Sequence, residues 1–162
     1  MERPQTNFQQ SLAKILTVIF YASIALAVLG VLLKIQQQSY GDSIVMVSLS
    51  ALAGALFLNA YMPMPLSEEL KPDLYATIMS KVLYIGSSVT VVGILFTLLH
   101  LNGASNMLLI GSLSAGVASI VSGVLFLKNG DNWVVLKKAF ITGVTVVLVG
   151  GYFIMKYGLT FN

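Results

Sequence analysis

The sequence predicts an all-α fold, a polytopic membrane bundle of five transmembrane helices. Three observations predict it. Apolar residues make up 57% of the 162-residue chain and charged residues only 9%, where a soluble domain is about a quarter charged. Mean hydropathy is +0.88. The apolar residues fall into five runs of 17 to 21 residues, none of which contains Asp, Glu, Lys or Arg. At about 1.5 Å per residue such runs reach roughly 25–31 Å, the thickness of a hydrocarbon core. With no water to satisfy the backbone, a run of that length must be helical.

The first span is 15–33, preceded by a short segment, 1–11, expected on the cytoplasmic side. Ala25-Leu26-Ala27 looks like a signal cleavage site, but the apolar run continues to Leu33 and Glu2 sits in the leading region. The span is therefore read as retained. A short turn from Lys34 to Asp42 leads to the second span, 43–62. So short a turn makes the pair an antiparallel hairpin. Pro63, Pro65 and Pro72 break the next connection, where Glu68, Glu69 and Lys71 form a solvated knot and Asp73 leads toward the third span, 82–99. A second short turn, His100 to Asn106, joins it to the fourth span, 107–127. Lys128-Asn129-Gly130-Asp131-Asn132 follows, with Asp131 or Asn132 suited to cap the fifth helix. The fifth span, 139–155, is the shortest, but Trp133-Val134-Val135 and Tyr157 extend it. Trp133, Tyr152 and Tyr157 suit membrane interfaces. The whole of 1–162 reads as one membrane domain.

Basic residues set the expected orientation. Arg3, Lys14, Lys71, Lys81, Lys128, Lys137 and Lys138 fall on one side, and only Lys34 and Lys156 on the other. This bias predicts a multi-pass inner-membrane protein with a cytoplasmic N-terminus and a periplasmic C-terminus. The same basic residues, scattered along the chain, form no cluster of the kind a nucleic-acid face requires. The expected partners are the lipid bilayer and other membrane subunits, with no nucleic acid.

An internal period runs through the spans. Gly30, Gly93 and Gly150 each sit in an apolar run, 63 and then 57 residues apart, and Ser48-Leu49-Ser50-Ala51 recurs as Ser112-Leu113-Ser114-Ala115. Aligned on the glycines, Ser23, Ala27 and Gly30 fall on Gly86, Thr90 and Gly93, then on Gly143, Val147 and Gly150. Spacings of four and three keep each set on one helix face. The even spans offer Ser50 and Gly54, and then Ser112, Gly116, Ser119 and Gly123. Small-residue faces let helices approach closely in lipid, so these positions are read as helix-packing residues. The alternative is a water-filled path lined by the same residues. A two-span unit returns the chain to its starting side, so the repeat is parallel, with the fifth span as a half-repeat. That half-repeat leaves an unpartnered face on the fifth helix, a candidate contact for another subunit.

Candidate chemistry is sparse. The chain has no cysteine, which excludes disulfides and thiolate sites, and its six acids, Glu2, Asp42, Glu68, Glu69, Asp73 and Asp131, lie outside the spans. Proton and cation pathways usually use a carboxylate within the membrane, and none of the five spans contains one. His100 is the single histidine. It reads as an exposed group or cap at the end of the third helix, with pH sensing or proton relay as the alternative. Asn59 is placed to hydrogen-bond between helices. The methionines, irregularly spaced, read as filler. No glycine loop cradles a phosphate and no serine has a base beside it. The expected metals and cofactors are therefore none, and an enzyme is not predicted.

The stretch Ile94-Leu95-Phe96-Thr97-Leu98-Leu99-His100-Leu101-Asn102-Gly103-Ala104 resembles a turn in GldL, the inner-membrane motor family of gliding motility and type-nine secretion in Bacteroidota. Thr97, His100, Gly103 and Ala104 match that family's pattern, and Lys34-Ile35 followed by Gly41 echoes it in the first hairpin. The resemblance implies a two-helix membrane hairpin within an envelope complex. It carries over no functional residue, because the family's intramembrane glutamate has no counterpart and its long cytoplasmic segment is replaced here by further spans. The expected function is a structural or accessory subunit of a larger envelope complex, linked to gliding or secretion by that resemblance. The alternative is a small channel or ion-translocating motor component using His100 and the Thr90/Thr97 face.

Overall fold

The computed structural model describes residues 7–61, 74–128 and 133–157. These residues form five helices and no strand: α1 (Asn7–Ile35), α2 (Gly41–Tyr61), α3 (Leu74–Leu98), α4 (Ala104–Lys128) and α5 (Trp133–Tyr157). Each is long and apolar enough to cross a membrane. The chain is a multi-pass membrane protein.

The helices overrun the apolar runs that announce them. α3 begins at Leu74 rather than Val82, and α5 at Trp133 rather than Ala139. Charge bounds an apolar run but does not end a helix: lysine is a good helix former, and its stem carries the ammonium to the interface. Lys81, Lys137 and Lys138 are therefore exposed within helices. The proposed caps Asp73, Asp131 and Asn132 lie outside the described residues, as do Glu2, Arg3 and the segment from Met62 through Pro63, Pro65, Glu68, Glu69 and Lys71 to Pro72.

α3 is the centre of the arrangement and packs against α2, α4 and α5. Of its apolar span 61% is buried, against 17% in α1 and in α5. α1 leans on α2, and α5 lies against both α3 and α4. Leu56, Leu83, Leu136 and Val45 fill the interior with their side chains fully enclosed. Between the two hairpins, the Ser88 hydroxyl donates to the Ala53 carbonyl at 2.8 Å, tying α3 to α2. An interhelical bond of this kind is worth about 0.6–2 kcal/mol in a membrane.

The two short turns share one geometry. Gln37 and His100 are the two non-glycine residues with left-handed backbones among the described residues, at φ 56° and 54°. The next amide reaches back to the third-last helical carbonyl: Gln38 N to Leu33 O at 3.0 Å, and Leu101 N to Phe96 O at 2.8 Å. Gln37 N and His100 N complete the pattern on Lys34 O and Thr97 O. This is the Schellman closure, which satisfies carbonyls that a helix end would otherwise leave open. In the first turn Lys34 also forms an ion pair with Asp42, the acid in the first turn of α2.

Candidate functional site

The small residues converge on α3. A methyl group added at Gly93 would fall 2.6 Å from Leu108 N, and one at Gly86 2.9 Å from Ala115 N. Between them, one at Gly111 would fall 2.4 Å from Thr90 N and 2.6 Å from Thr90 Oγ1. Real side-chain carbons do not approach so closely, so these backbones touch only because the residues lack a Cβ. Gly111 is the tightest position, and it does not belong to the Ser112 face singled out from the sequence. It lies on a neighbouring face of α4 with Leu108, Ala115, Ala118 and Ser122, all buried. Spacings of three and four would have found it, had the two adjacent small-residue faces of α4 been read separately.

Ser112, Gly116, Ser119 and Gly123 face α5 instead. Gly150 meets the Ser112 hydroxyl, where an added methyl would fall 2.6 Å away, and Gly143 meets Ser119 and Leu83. Gly116 lies beside Val147 and Gly123 beside Phe140, each at about van der Waals distance. The glycine face of α5 is thus filled by α4 and α3, and is not the unpartnered surface expected of a half-repeat. The surface α5 leaves open carries Ile141, Thr145, Leu148, Val149 and Tyr152, all exposed. Thr90 is the meeting point of the three helices. It is fully buried, with Gly111 on one side and Gly150 on the other, its Cγ2 2.7 Å from where a Gly150 methyl would lie.

The first hairpin is built on a similar register with different residues. Gly30 meets Val45 as Gly93 meets Leu108, with a methyl group there 2.9 Å from Val45 N. Ser23 and Ala27 are buried on the same face of α1. Ser50 and Gly54, by contrast, are exposed, and Gly54 has no neighbour within 4 Å. The packing face of α2 is instead Val45, Ser48, Leu49, Leu52, Ala53, Leu56 and Ala60. The repeated tetrapeptide is out of step with this register. Leu49 is buried, whereas Leu113, its counterpart in the phrase, is 59% exposed.

Most hydroxyls in this core are satisfied within their own helix. Thr90 donates to Gly86 O and Thr97 to Gly93 O, each at 2.8 Å, so both hydroxyl protons are used within α3. Asn59 donates to Ala55 O at 2.8 Å, within α2 rather than between helices. Ser87, Ser112 and Ser122 keep enclosed hydroxyl oxygens without a partner among the described residues. Every charged side chain whose surroundings are described lies toward a helix end, exposed or partly so. His100 is exposed in the α3–α4 turn, and among the described residues no three His, Cys, Asp or Glu side chains gather. The arrangement can hold helices together and recognise neighbours.

No protein-family model matches the chain, and neither a curated protein nor a solved structure is detectably similar to it.

Proposed function

We propose that the chain is a structural or accessory subunit of a larger envelope complex in the inner membrane, with its N-terminus cytoplasmic and its C-terminus periplasmic. The observation that carries this reading is Thr90 clamped between Gly111 and Gly150. A core closed by backbone contact, with charge kept to the helix ends, suits a scaffold rather than a reaction centre or an ion path. From the resemblance of Ile94–Ala104 to the gliding and secretion motor family, we further propose that the complex is one of gliding or secretion. We also infer that α1–α2 and α3–α4 descend from one duplicated two-helix unit, with α5 as its half. Supporting this, Gln37 and His100, and likewise the Gly30–Val45 and Gly93–Leu108 contacts, stand at the same 63-residue offset.

The test is purification in mild detergent. A scaffold subunit emerges with stoichiometric partner proteins, and a solitary monomer overturns the reading. The absence of cysteine helps with orientation, because a single cysteine placed before Lys14 reports its side of the membrane by labelling. A second reading, a small conducting element, draws on the three unpartnered hydroxyls of Ser87, Ser112 and Ser122. It requires ion flux in liposomes that hold the purified protein, and His100→Ala reduces that flux if the histidine takes part.

A further inference from the structure

We propose that the groove between α1 and α5 binds an anionic glycerophospholipid, its phosphate at Lys137 and Lys138 and its acyl chains along the apolar floor. The groove encloses about 840 Å³; α1 and α5 are its walls, and α2 and α3 its floor. Its polarity is confined to one end. There Lys137, Lys138, Thr142 and Thr145 line it, with Tyr21 on the opposite wall. The two threonine hydroxyls already donate to Lys138 O and Ile141 O, which leaves the lysines as its strongest polar groups. Further along, the lining is Leu52, Leu56, Ile94, Leu98, Val149 and Phe153. A charged head followed by a long apolar body is the shape of an amphiphile.

Depth and charge select the class. Lys137 and Lys156 are nineteen residues apart on α5, about 28 Å of helix, which spans a hydrocarbon core and sets Lys137 and Lys138 at headgroup level. Both lysines are exposed, and neither has an ion-pair partner among the described residues. The single acid among those residues, Asp42, is held by Lys34 in the α1–α2 turn. A lipid phosphate at that depth is complementary in charge to the lysine pair, and its acyl chains match the apolar floor.

The experiment is native mass spectrometry of the full-length protein from mild detergent doped with phosphatidylglycerol or phosphatidylcholine of matched chains. Phosphatidylglycerol is expected to remain bound under activation that strips phosphatidylcholine. K137Q/K138Q should cut that preference roughly ten-fold, in keeping with the attraction of each basic side chain to anionic lipid, while K137R/K138R keeps it and K156Q leaves it unchanged. Thr145→Phe, which fills the groove from an exposed position, should remove both lipids without lowering thermal stability. Equal retention of the two lipids by the unsubstituted protein overturns the proposal, as does undiminished phosphatidylglycerol binding in K137Q/K138Q. A lipid-free dimer that Thr145→Phe dissociates overturns it in favour of a second copy.

Discussion

The two hairpins close with the same turn and the same glycine contact, yet one is the centre of the molecule and the other stands at its edge. The difference lies in the face each even helix turns toward the next odd helix. In α4 that face is Ser112, Gly116, Ser119 and Gly123, and α5 settles into it with Gly143 and Gly150 at close range. At the corresponding positions, 63 residues earlier, α2 carries Leu49, Ala53, Leu56 and Ala60, all buried. Its leucines and alanines fill the seam with α3, and a hydrogen bond from the Ser88 hydroxyl to the Ala53 carbonyl spans it. The α4–α5 seam therefore turns on glycines, and the α2–α3 seam on leucine and alanine side chains with one interhelical hydrogen bond. The α2–α3 seam forms the floor of the groove between α1 and α5. In lipid, where apolar burial alone does not drive helices together, the choice between small and large residues decides how near a helix can come.

Substitutions can break or sharpen this contrast, and the largest effect is expected at Gly111. Gly111→Ala sets a methyl against the Thr90 backbone, which has no rotamer to change, and should cost about 3 kcal/mol of overpacking. Ser48→Ala, at the matching position of the first hairpin, should cost well under half of that. Thermal unfolding in detergent followed by circular dichroism measures both, and equal losses would erase the distinction. Next comes the shared glycine contact. Gly93→Ala should cost about 2 kcal/mol and Gly30→Ala about 1 kcal/mol, since the methyl falls 2.6 Å from backbone in the first case and 2.9 Å in the second.

A smaller and more diagnostic effect concerns the seam of α5. Gly150→Ala meets the Ser112 hydroxyl, a group that can be removed. Ser112→Ala should restore part of the 1–2 kcal/mol, roughly, that Gly150→Ala costs, and a double-mutant cycle isolates the coupling. Additive losses would mean that the two residues do not meet. The smallest effect is expected at Gly54. It has no neighbour within 4 Å, so Gly54→Ala should stabilise α2 by up to about 1 kcal/mol through helix propensity. A loss there would place an unseen partner on the outer face of α2.

The five spans were legible because charges and prolines interrupt the apolar runs, and a bilayer-length run has few alternatives to a helix. The small-residue faces were legible through their spacing. Which neighbour each face meets was not. In a soluble bundle the polar side of a helix identifies its outside, but here Leu113 faces outward and Leu108 inward with the same chemistry. Identity of residues misled as well. Ser48-Leu49-Ser50-Ala51 and Ser112-Leu113-Ser114-Ala115 match letter for letter, but the glycine contacts and the Schellman turns align the hairpins one residue away from that match. Thr97, singled out for its hydroxyl, spends that proton on the Gly93 carbonyl of its own helix. His100 was noticed for its side chain, while the described geometry uses its backbone, whose left-handed conformation turns the chain toward α4.

The clamp on Thr90 also has a temporal side. Gly111 reaches it as soon as α3 and α4 pair, but Gly150 belongs to α5, which the ribosome makes later. Until α5 is inserted, Ser112 and Ser119 look out from α4 into lipid, and the half-built bundle presents a polar flank to the bilayer. Biogenesis thus has an unsheltered interval that ends only when α5 docks.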